Sequence, residues 1–138
     1  MRTILSTLAF AVLISGCSRP KIIGADDLRS QLTAAISLAS ETETFLDYVA
    51  QHRSTGNFAA GHIAYLSQTA ADAAKDLHHF TPTYSIEQQV TQSRQQLDAL
   101  ASQLAALQRQ AARGETPAAA KDHFAQLRHS LEQIKAGL

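Results

Sequence analysis

The chain has 138 residues and no tryptophan; cysteine and methionine occur once each, and there are three prolines and six glycines. A lone cysteine excludes a disulfide framework within one chain, so the fold must be held by apolar packing. The scarcity of proline and glycine leaves long stretches free of the residues that interrupt helices. No sign of charge dominates, with 12 Lys and Arg against 12 Asp and Glu. There is also no charge run or basic patch, which argues against nucleic acid as a partner and against strong electrostatic adhesion to lipid head groups. The sequence holds no HExxH, no Walker loop and no nucleophile elbow. It therefore reads as non-catalytic, with no cofactor expected.

Long apolar runs are missing as well. The longest lies between Ile4 and Ile14, relieved only by small hydroxyl residues. At roughly 11 residues it falls short of the ~20 needed to span a bilayer. Arg2 precedes it, and Leu13-Ile14-Ser15-Gly16-Cys17 closes it. A positive n-region, an apolar h-region and small residues before a cut site are the parts of an export signal. With the sole cysteine placed directly after them, residues 1–18 resemble the signal of bacterial lipoproteins. The resemblance implies cleavage after Gly16 and a lipid on Cys17, which becomes the N-terminus and the membrane anchor. Acylation by two or three chains, palmitate among them, holds stably where one chain does not. Ser18 follows the cysteine. In Gram-negative members Asp at that position retains the protein in the inner membrane, so in a Gram-negative cell Ser18 implies an outer-membrane lipoprotein facing the periplasm. Removal of Arg2 would leave the acidic residues one ahead of the basic ones.

The expected organisation is a signal peptide at 1–16, a lipidated N-terminus and tether at 17–25, and one helical domain at 26–138. Alanine and glutamine are abundant and β-branched runs are scarce, which favours helix. Four segments carry apolar stripes that step alternately by three and four, at about 26–53, 58–80, 86–113 and 117–137. The stripes are Leu28, Leu32, Ala35, Ala39, Thr42, Leu46 and Val49; Ile63, Leu66, Ala70, Ala73, Leu77 and Phe80; Ile86, Val90, Ser93, Leu97, Leu100, Leu104, Leu107 and Ala111; and Ala120, Phe124, Leu127, Leu131, Ile134 and Leu138. Asp26 and Asp27 suit the first helix start, and Gly56 is a candidate for its end. Asn57 is the expected N-cap of the second segment. Ser85 and Gln88 form a capping-box pattern for the third, with Gly114 beyond its end. Thr116 and Pro117 open the fourth.

Such stripes bury one face and need neighbours. Short connections favour antiparallel ones, so the expected fold is all-α, an up-down-up-down four-helix bundle. An open helical array or an intermolecular coiled coil is the alternative. The tether from Ser18 to Ala25 reaches at most about 27 Å, which keeps the domain close to the membrane, with both termini at the near end. Phe45, Tyr48, Phe58, Tyr65 and Phe124 then gather towards the far end, either as packing or as a tip offered to a partner. The glutamines of the third segment, among them Gln88, Gln92, Gln95 and Gln103, read as a solvated face or as an amide interface.

Six histidines are present. His78, His79 and His129 fall away from the stripes, and His52 sits near a helix end, where a partly charged ring suits the dipole. His62 and His123 flank their stripes at similar heights, with Asp47 on the first segment. Helical bundles do host metal sites built from facing side chains, so Asp47, His62 and His123 are the candidate metal ligands, although Cys-x-x-Cys-His and paired Glu-x-x-His motifs are absent. Gly61, beside His62, marks either a close helix approach or a frayed start. Two functions follow from these residues. One is a lipid-anchored, non-catalytic interaction or scaffolding module whose partners are the membrane, through Cys17, and an envelope protein. The other is a periplasmic carrier of a small ligand, metal or haem, with Ala35, Ala39, Ala70, Ala73 and Ser93 leaving room for it.

Overall fold

The computed structural model describes residues 21–115 and 120–138. The fold is all-α and mostly helical, with helices α1 (Ala25–Ala50), α2 (Gly56–His79), α3 (Glu87–Ala112) and α4 (Lys121–Ala136). A pair of short strands, β1 (Lys21–Ile23) and β2 (Phe80–Pro82), and a 3₁₀ turn at Tyr84–Ile86 complete it. No described helix is long and apolar enough to cross a membrane.

The helix ends differ from the expected ones in instructive ways. α1 stops before Gly56, because His52 turns left-handed at φ 55°. The N–H of His52 then donates to the Val49 carbonyl at 3.0 Å, and that of Arg53 to the Tyr48 carbonyl at 3.2 Å. This is a Schellman closure with histidine where glycine is usual. Gly56 instead opens α2, and the cap is Thr55, not Asn57; its Oγ1 accepts from the Phe58 N–H at 3.4 Å. The Ser85–Gln88 capping box does not form. Ser85 is drawn into the 3₁₀ turn, where its hydroxyl lies 3.3 Å from that of Thr83, and α3 starts without a side-chain cap. Gly114, at φ 74°, closes α3 as expected, with Glu115 N–H bonded to the Gln110 carbonyl at 3.1 Å. Thr116 and Pro117 lie outside the described residues.

The strands take Lys21–Ile23, expected in the tether, into the fold, while residues 17–20 lie outside the described residues. Lys21, Ile22 and Ile23 pair in parallel with Phe80, Thr81 and Pro82, and the Thr83 N–H donates to the Ile23 carbonyl at 3.1 Å. Two β-branched residues favour an extended backbone. On the partner side, Pro82 biases Thr81 out of the helical region. Alternation along β1 sends Ile23 inward to complete burial and Ile22 outward.

The core divides into two apolar clusters. One joins Leu38, Ala39, Phe45 and Leu46 of α1 to Ile63, Leu66 and Ala70 of α2, to Leu100, Leu104 and Leu107 of α3, and to Phe124 of α4. The other joins Ile23, Leu28, Leu32 and Ala35 to Ala74 and Leu77, to Ile86, Val90 and Leu97, and to Leu131. Most stripe positions are buried, and Val49, Ala73, Ala111, Leu127, Ile134 and Leu138 pack around the clusters. Ala74 takes the fully interior place expected of Ala73, so the stripe on α2 rotates slightly. Two buried hydroxyls are satisfied within their own helices. Thr42 donates to the Leu38 carbonyl at 2.9 Å and Ser93 to that of Gln89 at 2.7 Å. Among the described residues, no buried side-chain polar atom lacks a partner.

Candidate binding site

Helix periodicity assembles the site on one flank. Glu41, Thr44, Phe45 and Tyr48 lie on α1 at successive intervals of three, one and three, so they share a face. Phe58, His62 and Tyr65, on α2, follow the same rule at intervals of four and three. The two rows meet across a groove of about 440 Å³ lined by Glu41, Thr44, Phe45, Tyr48, Phe58 and His62. Phe45 is the buried floor, while the Phe58 and Tyr65 side chains stand 59% and 60% exposed.

The rings form a connected set. His62 lies 4.4 Å from Phe45 between centroids, tilted by 52°, and stacks on Phe58 at 6.0 Å with 5° between planes. Phe45 reaches Tyr48 at 6.5 Å and Phe58 at 6.2 Å, and His62 reaches Tyr65 at 6.1 Å. These separations fall in the range of offset and edge-to-face aromatic contact. His62 Nε2 also lies 3.2 Å from Glu41 Oε1, which joins the two helices through a polar contact at the groove edge. The Arg53 guanidinium sits over the Tyr48 ring at 5.2 Å. Ring faces are electron-rich and Glu41 is the carboxylate in the lining, so the groove has the chemistry to hold a cation.

No family model, curated protein or solved structure matches this chain. The site therefore rests on its own geometry.

The candidate metal ligands are not brought together. Asp47 is turned towards α4, where both its oxygens take the Lys121 ammonium, at 2.7 and 2.6 Å. His62 faces Glu41 between α1 and α2. His123 is exposed in a shallow groove of α3 and α4, beside Gln96, Gln103 and Gln126. Similar heights along their helices did not place the three on one side. Among the described residues, no cluster of three or more His, Cys, Asp or Glu is arranged to hold a metal ion. Cys17 lies outside the described residues.

Other expected features also resolve. Phe124 belongs to the core and not to an exposed tip, because it points into the cluster with Leu104 and Leu107. Gly61 permits no close approach, since a Cβ there would meet nothing within 4 Å. Ala35, Ala39, Ala70 and Ser93 are themselves buried, so these small residues let the helices close on one another. His78, which falls away from its stripe, makes an exposed pair with Asp98 at 2.9 Å. The exposed rings were identifiable as candidates in the sequence, but the Glu41–His62 contact was not. Each residue lies off its stripe, and only the rotation of the two helices lets them meet.

On the opposite flank of α1, Arg128 of α4 bonds Glu43 at 2.8 Å and Glu132 at 2.9 Å. Hydrogen bonds to these two carboxylates hold the Arg128 guanidinium above its ordinary pKa, and the hydrogen bond to Asp47 does the same for the Lys121 ammonium. The Asp47–Lys121 and Glu43–Arg128 pairs join α1 to α4.

Proposed function

We propose that this protein is a lipid-anchored module of the cell envelope, without catalytic activity, that binds a partner protein through the groove between α1 and α2. The observation that carries this reading is the exposed ring set of Tyr48, Phe58 and Tyr65 around His62, with Glu41 at its edge. Exposed aromatics that adjoin a buried one are what interface hot spots are made of. Charge complementarity favours a basic side chain of the partner as the group that enters the groove.

The framework we propose is an antiparallel, up-down-up-down four-helix bundle. Two observations support it. The core clusters pair the late part of α1 with the early part of α2, the late part of α3 and the early part of α4, and then the reverse. Along α1 and α4, Asp47 meets Lys121 while Glu43 meets Arg128, so one helix descends as the other ascends.

Anchoring through Cys17 rests on the Leu13–Cys17 signal. Radiolabelled palmitate should enter the wild-type protein and not Cys17→Ser; label retained in the variant places the anchor elsewhere. The groove is tested by titrating the protein with a short arginine-containing peptide and with its citrulline counterpart, while following the ring resonances of Phe58 and His62 by NMR. The arginine peptide should shift them saturably, and both Glu41→Gln and Phe58→Ala should abolish the response. Equal shifts from the two peptides would remove the cationic assignment.

A further inference from the structure

We infer that the outward side of the β1–β2 ribbon, with Ile22 and the ring of Tyr84, is a membrane-contact surface that beds into the head-group region of the bilayer. The inference rests on the proposed lipid on Cys17 and goes beyond it, because an anchor alone does not fix which surface faces the lipid.

The link from the anchor to the fold is short. Only Ser18, Arg19 and Pro20 separate Cys17 from Lys21, the first residue of β1. Fully extended, that link spans about 14 Å. With residues 21–25 taken into the fold, the slack expected of a longer tether is gone. The start of the ribbon therefore stays within about 14 Å of the lipidated residue whenever the lipid is inserted.

The ribbon also presents apolar groups outward. Partners in a parallel register point to the same side, so Ile22 and Thr81 share the outer face while Ile23 and Phe80 face the core. Ile22 is 66% exposed, and Tyr84, just beyond β2, is 94% exposed. An amphipathic ring is suited to the boundary between lipid and water, and tyrosine is enriched there. Lys21, its side chain on the other side of the strand from Ile22, is exposed and holds its ammonium over the ring of its partner Phe80 at 5.1 Å. Exposed apolar side chains scattered singly are ordinary on any protein. Here an outward strand residue adjoins Lys21, where the short link to the anchor departs, and an exposed ring lies just past the other end of the same ribbon.

The absence of tryptophan makes the test direct. The full-length lipidated protein is prepared as Ile22→Trp, Thr81→Trp, Tyr84→Trp and Gln108→Trp, each carrying a single tryptophan. The last is an exposed position about 30 Å along α3 from the ribbon. Each is inserted into phosphatidylcholine–phosphatidylglycerol vesicles containing lipids brominated near the head group, with circular dichroism used to select folded variants. Tryptophan at 22, 81 or 84 should lose roughly half its emission and shift to the blue, as an interfacial ring does, while position 108 stays unchanged. If vesicle-bound protein shows no quenching at the three ribbon positions, or equal quenching at all four, the contact surface is overturned and the anchor stands. If the lipidated protein fails to float with the vesicles, the anchor itself falls, and the surface with it.

Discussion

Arg94 of α3 donates to the carbonyl of Phe80 at 2.7 Å, and through Nε to that of Leu77 at 3.3 Å. One guanidinium thus closes the carbonyl end of α2 and holds the first residue of β2. The C-terminal end of a helix carries partial negative charge and unpaired carbonyls, and a cation there answers both. Arg94→Met keeps most of the apolar stem and removes the donors. It should cost about 1–2 kcal/mol, a charged hydrogen bond discounted for partial exposure, as read from urea unfolding. Arg109→Met, at the other end of α3, serves as the comparison and should change little.

Ile23 tests whether the segment ahead of α1 belongs to the folded domain. It is fully buried against the cluster of Leu28, Leu32, Leu77 and Leu131. Ile23→Ala should destabilise by about 2–5 kcal/mol, as other buried isoleucine truncations do. Ile22→Ala, one residue earlier and facing outward, should be close to neutral in solution. Equal effects at the two positions in thermal melts would contradict the strand register.

The two left-handed helix closures predict opposite responses to substitution. His52 pays the cost of a Cβ at φ 55°, whereas Gly114 avoids it at φ 74°. His52→Gly should therefore stabilise by about 0.5–1 kcal/mol, the relief of strain exceeding the added freedom of the unfolded chain. Gly114→Ala should destabilise by about 1 kcal/mol. Chemical denaturation of the two variants checks both signs.

Lys121 and Glu115 respond to pH at opposite ends of the scale. The hydrogen bond to Asp47 raises the Lys121 pKa, so its contribution is complete below the ordinary lysine value and fades as pH rises through the raised one. The melting-temperature gap between wild type and Lys121→Gln should stay constant from neutral pH to about pH 10 and then close. Glu115 is held below its ordinary pKa by the hydrogen bond from Arg113. Its contribution is complete above the ordinary glutamate value and is lost as pH falls through the lowered one. The gap between wild type and Glu115→Gln should therefore close only in acid. Both groups are solvent-exposed, so the gaps should also narrow as salt is added.

The stripes were legible because a helix repeats every 3.6 residues, and the repeat is written locally. Leu28, Leu32, Ala35 and Ala39 were placed correctly, as were Val90, Ser93, Leu97, Leu100 and Leu104. The helix ends were less legible. Thr55 and Asn57 are both good caps, and which one serves depends on where the preceding turn delivers the chain.

From its sequence alone this protein owes its four helices and its reliance on apolar packing, and the proposed anchor at Cys17 rests on the short run that precedes it. Each of these depends on residues close together along the chain. Only the tertiary structure decided that Ile23 enters the core beside Leu77, that Asp47 turns to Lys121 and away from His62, and that Glu41 meets His62 beside an open row of rings. Such meetings depend on how far each helix is rotated about its axis. One residue is about 100° of rotation, so a small change in register moves a flanking side chain to a different neighbour.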